Sequence, residues 1–393
     1  MLNNIMIPFG KQDINQQDID AVVEVLKSDF LTQGPKVPAF EQALQEQCDV
    51  KHVIAVNSAT SALHIACLAL EVGEGDLVWT TPISFVASAN CALYCGAKVD
   101  FVDIDPLTYN LCSVKLAEKL CYAKEHDLQI PKVLILVHLS GEPCDMVEIH
   151  KLSKLYNFAI VEDASHAIGS EYKGQKIGSC QFSDITVFSF HPVKIITAAE
   201  GGVATTNNTE LAEKLLLLRS HGITINESLM TEKSHGDWYY QQVLLGYNYR
   251  MTDIQAALGL SQMNRLNEFV IKRNAIAAKY DKALQYLPLR LPLQNSDNKS
   301  SRHLYIVRLE SEGLTINHKD VYSSLKSKGI GVNLHYIPIH LQPYYKQLGF
   351  KEGDFPEAEK YYSEAISIPL YPQMTAQEIE YVITSLEDIF SNT

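Results

Sequence analysis

The stretch "FAIVEDAS", Phe158 to Ser165, is apolar through Val161, then carries two carboxylates and runs into small residues. A short apolar run without alternation reads as a strand buried on both faces, the kind found in parallel sheets covered by helices. The surrounding sequence repeats the pattern. Strand-like "HVIAVNS" (His52–Ser58) leads into helical "TSALHIACLAL" (Thr60–Leu70), and "DLVWTTP" (Asp76–Pro82) into "SFVASANCALYCG" (Ser84–Gly96). "KVDFVDID" (Lys98–Asp105) and "KVLILVHLSG" (Lys132–Gly141) precede the quoted strand, with helical stretches between. "DITVFSF" (Asp184–Phe190) and "GGVATT" (Gly201–Thr206) close the series. The expectation is an α/β fold with a mostly parallel sheet, whose ligands bind beyond the carboxyl ends of the strands.

Outside this region the pattern changes. Asn15 to Asp29 reads as a helix with Ile19, Val22, Val23 and Leu26 on one face. From about Asn248 a long helix, Thr252 to roughly Leu284, leads away to the polar stretch "QNSDNKSS" (Gln294–Ser301). "RHLYIVRLE", "VYSSLKSKG" and "GVNLHYIPIH" then read as strand, helix, strand. The division expected is a large α/β domain with an amino-terminal arm over 1–250, then a linking helix and smaller α/β domain over 251–393.

Composition narrows the function. The 393 residues are 46% hydrophobic and carry a net charge of −13, which argues against nucleic acid as a partner. Lys272-Arg273 reads as a solvated helix face. The eight cysteines form no CxxC pair, and Cys91 and Cys95, one helical turn apart, lack further metal ligands. They read as reduced, buried thiols of a cytoplasmic protein. No leader is indicated, and no segment reaches the roughly 18 apolar residues of a membrane span.

Three loops at the expected carboxyl edge carry compatible chemistry. "NSATSAL" (Asn57–Leu63) passes from strand to helix and leaves free amides for a phosphate. Asp163 ends its strand, where a buried carboxylate calls for a cationic partner such as a protonated ring nitrogen, and His166 follows three residues later. "FSFHPVKIITAAEGG" (Phe188–Gly202) offers the Ser189 hydroxyl, the Lys194 amine and a Gly201-Gly202 pair that lets the backbone pass closely. Phe85 supplies a flat aromatic. A Schiff-base lysine, an acid for a pyridinium, phosphate donors and a stacking ring together describe a pyridoxal 5'-phosphate site. A rival reading takes Asp103-Ile104-Asp105 as the metal-holding acid pair of a glycosyltransferase, against a simple strand end followed by a turn at Asp105-Pro106.

On these residues the chain resembles the DegT/DnrJ/EryC1/StrS sugar aminotransferases. "LTQGPKVPAFE", "NSATSALH", "TTPISFVASAN", "VEDASHAIGSEY", "SFHPVKIITAAEGG", "GYNYRMTDIQAALGLSQ" and "LHYIPIH" carry the likeness over nearly the whole length. The resemblance implies the type I fold of aspartate aminotransferase, a PLP-dependent transferase fold, with no metal. Lys194, Asp163 and His166 match its catalytic positions, and Ala59, Thr60, Phe85, Ser189 and Asn248 its other cofactor contacts. Asn248 matches an asparagine that reaches the neighbouring subunit's phosphate, which implies a homodimer with shared active sites. Phe9, Asp29, Phe30, Leu31, Thr32, His335, Tyr336, Ile337 and Pro338 match sugar-nucleotide contacts. Ala59 and Ala199 stand where glycine is frequent. "SDFLTQGPKVPAFE" and "WYYQQVLLGYNYR" are most similar to members that move an amino group from L-glutamate to C4 of a UDP-4-keto-6-deoxy sugar for pseudaminic acid synthesis.

Overall fold

The computed structural model describes residues 6–293, 295–310 and 315–391. Gln294, at the head of the polar stretch, and residues 1–5 lie outside them. Strands β1 (His52–Val56), β2 (Leu77–Thr80), β3 (Lys98–Phe101), β4 (Val133–Val137), β5 (Ala159–Asp163), β6 (Ile185–Ser189) and β7 (Gly202–Thr206) form one sheet. Their order is β1-β7-β6-β5-β4-β2-β3. Every pairing is parallel except the two made by β7, which runs against β1 and β6.

Side chains alternate across this sheet, so both faces are apolar and both are covered. Val133 and Ile135 of β4 enter one core with Ile54, Val161 and Val187, while Leu134 and Leu136 enter the other with Val53, Ile160 and Phe188. The helices that matter below are α1 (Gln16–Leu26), α2 (Lys36–Cys48), α3 (Ala59–Ala69) and α4 (Ala87–Tyr94). The first of these is capped reciprocally by Asn15 and Asp18. Its buried residues are Asp18 and Val25, and the apolar row Ile19, Val23 and Leu26 faces outward.

A second, antiparallel sheet of Leu289–Arg290, Tyr305–Leu309 and Ala365–Ile368 covers a third apolar cluster. Its third strand is "AISI", where "GVNLHYIPIH" was expected. That segment makes one bridge, Asn333 to Ser367, and then turns toward the large sheet, where the Ile339 amide donates to the Pro82 carbonyl at 2.8 Å. The expected long helix is also two: α5 (Asp253–Met263) and α6 (Leu266–Leu284). The break falls at Asn264-Arg265, where the Arg265 guanidinium is drawn to Asp13 and Asp18 at 2.7 and 2.5 Å.

Two further expectations fail on burial. Lys272 is solvated and pairs with Glu268, but Arg273 is buried, donating to the carbonyls of His303 and Leu370. All eight thiols are free and five are buried, yet Cys121 is exposed and Cys95 and Cys112 are half-buried.

Candidate active site

Alternation along β5 separates its two carboxylates. Glu162 points into one core and is satisfied by the His138 Nε2–H at 2.7 Å and the Thr186 hydroxyl at 3.1 Å. The His138 Nδ1 accepts from the Cys144 amide, which places the ring proton on Nε2. Asp163 ends the strand at the carboxyl edge and is buried. Its Oδ2 accepts from the Ser88 hydroxyl at 2.6 Å and its Oδ1 from the Ser165 amide at 3.2 Å.

Lys194 sits in a loop that closes on the end of β6. The Ala198 amide and Thr197 hydroxyl both return to the Phe190 carbonyl, and the Lys194 amide donates to His191. Burial brings the Lys194 amine down from 10.5 to about 8, with the Asp163 charge acting the other way. An amine in that range is partly neutral, and therefore nucleophilic, near neutral pH.

Imidazoles surround it. His166 is buried between His303, with ring centroids 4.4 Å apart, and Tyr336, whose hydroxyl is 3.1 Å from Nε2. The Ser140 amide donates to His166 Nδ1, so Nε2 carries the proton and donates to Tyr336. Burial holds His166 well below its usual range, helped by the charges of Lys194 and His335. His335 is pushed down to about 4 by burial and then by Lys194. The pocket thus presents neutral rings and one titrating amine. Phe85 lies 6.3 Å from the Tyr336 ring and is 59% exposed, so a ring face remains open.

The reversed strand builds the third corner. Because β7 starts where its neighbours end, Gly202 pairs with both Val56 and Ser189. Ser58 caps α3 through the Ser61 amide at 3.1 Å, while the Ala59 and Thr60 amides, at the helix start, have no intrahelical acceptor. A Cβ on Gly202 would fall 2.4 Å from the Ala59 nitrogen, so only glycine lets β7 approach this start. Ala199 takes a left-handed φ of 65°, the physical reason glycine suits that position. A carboxylate for a ring nitrogen, a desolvated amine and a helix start with buried Ser189 beside it fit pyridoxal phosphate.

The sugar-contact expectations divide. Phe9 packs on the His335 ring at 5.7 Å, and His335 and Tyr336 join the Lys194 group. Ile337 is exposed and Pro338 is buried beside them. Asp29, Phe30, Leu31 and Thr32 are exposed and lie by the start of α5, where the Asp253 amide donates to the Leu31 carbonyl. Asn248 bridges Ser220, and the next residue, Tyr249, accepts from the Asn57 amide at 2.8 Å. The acid pair of the rival reading is taken by backbone. Asp103 accepts from the Glu357 and Ala358 amides, each at 3.0 Å, and Asp105 from the Leu107 and Thr108 amides. Among the described residues no group of His, Cys, Asp and Glu is arranged to hold a metal ion.

Three partners went unread in the sequence. Ser84 and Ser88, four residues apart with Phe85 between them, gave a signal that could have been used. His303, read only as part of a strand, gave none.

The sequence profile of the DegT/DnrJ/EryC1/StrS aminotransferase family matches residues 12–387. The UDP-4-amino-4,6-dideoxy-N-acetyl-β-L-altrosamine transaminase of Campylobacter jejuni is 41% identical over 98% of this chain and 97% of its own. Helicobacter pylori PseC, an aminotransferase of pseudaminic acid biosynthesis, superimposes with a TM-score of 0.88 at 33% identity, covering 99% of this chain and 100% of that one. A Streptococcus pneumoniae protein described as a sugar aminotransferase, solved in its PLP form, gives 0.88 at 32% identity over 99% of both chains. With the family profile spanning nearly the whole sequence and the fold matching at this level, the chain belongs to the DegT/DnrJ/EryC1/StrS aminotransferase family.

Proposed function

We propose that this aminotransferase uses pyridoxal 5'-phosphate to move an amino group from L-glutamate to C4 of a UDP-linked 4-keto-6-deoxy-N-acetylhexosamine. The product is UDP-4-amino-4,6-dideoxy-N-acetyl-β-L-altrosamine, a precursor of pseudaminic acid. The observation that carries the reading is the Lys194 amine, brought to about 8 by burial and set within reach of the Asp163 charge. When bound, the cofactor supplies an aldehyde for amines and a ring that accepts the electrons released at the substrate carbon.

The chain's own residues do the rest. Lys194 would hold the cofactor through its amine and, when free, would accept and return the substrate-carbon proton. Asp163 would pair with the ring nitrogen and hold its proton. Phe85 and His166 confine the ring, while Ser189 and the Ala59 and Thr60 amides take the phosphate. Phe9, Asp29 to Thr32 and His335 to Pro338 contact the sugar nucleotide. Asn248 reaches the phosphate of a second copy, so the working unit is a cytoplasmic homodimer, with 1–250 as the cofactor-binding domain and 251–393 as the smaller one. The resemblance to the Campylobacter and Helicobacter proteins supports the choice of sugar, and the free thiols support the compartment.

The test is incubation with pyridoxal phosphate, glutamate and a panel of UDP-4-keto sugars, with identification of any amino sugar formed. The altrosamine product is expected; a different 4-amino epimer would overturn the sugar assignment. Lys194→Ala should abolish transfer, and turnover near that of the natural protein would refute its role.

A further inference from the structure

Asp163 does not stand alone in its core. The Ser88 hydroxyl lies 2.6 Å from Oδ2, and the Ser84 hydroxyl lies 2.7 Å from that of Ser88. Since Asp163 in its ionised form only accepts, Ser88 donates to it, and the Ser84 proton is then directed at the Ser88 oxygen. The chain of donors runs Ser84 to Ser88 to Asp163. Both serines are buried, Ser88 completely, so water does not compete for either hydroxyl.

The local fold explains why they meet. Ser84 lies in the bend just before α4 and Ser88 in the first turn of that helix, and the chain's entry into the helix brings the two hydroxyls together. The pair meets the end of β5, the central strand of the seven. The aromatic ring of Phe85, between them in sequence, is exposed and lies 6.3 Å from the Tyr336 ring. One short segment therefore sets Phe85 beside Tyr336 and, through Ser88, holds the Asp163 carboxylate.

The geometry points to Ser88, backed by Ser84, as a positioning residue that fixes the Asp163 carboxylate in rotation. The inference rests on the reading of Asp163 as the acid facing a pyridine nitrogen. A short hydrogen bond from a buried hydroxyl holds the carboxylate in one orientation, and removal of the donor frees it to rotate. That freedom weakens the directed counter-charge offered to the ring. Lys194 and the phosphate donors are untouched, so cofactor capture and substrate binding should change less than the chemical step.

The experiment compares the full-length chain with Ser88→Ala, Ser88→Thr and Ser84→Ala, each saturated with pyridoxal phosphate. Three quantities are read: cofactor affinity by equilibrium dialysis, the pH midpoint of the bound cofactor's absorbance, and the kcat and KM for glutamate. Ser88→Ala should move the absorbance midpoint by about half a pH unit and lower kcat ~10-fold, with KM and cofactor affinity within about twofold. Ser88→Thr, which keeps the hydroxyl, should restore both quantities, and Ser84→Ala should shift them in the same direction by less. A purely structural serine would lower thermal stability without moving the midpoint, and that outcome overturns the inference. So does a Ser88→Thr protein that folds and binds the cofactor yet behaves as the alanine variant. If the natural chain takes up no pyridoxal phosphate at all, the underlying reading of the site fails first; if it does and Ser88→Ala matches it throughout, only the role of Ser88 fails.

Discussion

Lys194 shows most directly how position changes the chemistry of a residue. Its amine binds a proton less tightly in the folded chain, at about 8, than at its ordinary 10.5. Between those values the unfolded chain holds the extra proton, so stability rises with pH across that window. Below pH 8 the full penalty applies, and above 10.5 it is gone. In the cofactor-free protein, Lys194→Met should therefore raise unfolding stability at pH 7 by up to about 3 kcal/mol and leave it nearly unchanged at pH 11, as read from urea titrations. Asp163→Ala should cost more rate than cofactor occupancy, measured by comparing single-turnover decay with bound pyridoxal phosphate. A large loss of occupancy with unchanged chemistry would contradict its electron-withdrawing role. Ala199, at φ 65°, makes a smaller point: Ala199→Gly should stabilise the chain by ~1 kcal/mol in the same titrations.

At the scale of elements, the site depends on helix starts. The α2 start is held by a side chain distant in sequence: the Asp253 carboxylate accepts from the Gly34, Lys36 and Val37 amides at 2.5, 2.8 and 3.0 Å. That contact also ties down the segment containing Asp29 to Thr32. Asp253→Ala leaves these donors without an acceptor and should cost ~3 kcal/mol in denaturant unfolding, with Asp253→Asn recovering part of it. The α3 start depends on the approach of β7. Gly202→Ala places a methyl against the Ala59 nitrogen and should weaken pyridoxal phosphate binding at least 10-fold, roughly, by dialysis, even where the fold survives.

For the whole molecule, the apolar surface left uncovered is the relevant observation. Leu26, Phe30 and Leu31 on and after α1 are exposed, and Trp238 and Leu245, on the segment leading to Asn248, are each 78% exposed. Residues of this kind on a lone chain call for a covering partner, in keeping with the proposed homodimer. Leu26→Glu and Leu245→Glu should raise the monomer fraction in sedimentation velocity, and activity should fall with it, since Asn248 would no longer reach a second site. An unchanged sedimentation profile for both would contradict the arrangement.

The sequence by itself determined the sheet and the edge at which the site was expected. Unbroken apolar runs such as those of β4 and β5 have no solvated side, and that alone requires helices on both faces and a site at the strand ends. Lys194, Asp163 and the helix start after Ser58 were legible because each interrupts an apolar run at that edge. Only the tertiary structure decided what depends on distant pairings. It reversed β7 so that Gly202 meets Ser189 and Ala59, put Ser88 behind Asp163, brought His303 against His166, and buried Arg273 beneath two carbonyls. Apart from the Ser84 and Ser88 spacing, none of these has a local signal, because each arises from residues that meet only after the sheet and its helices have packed.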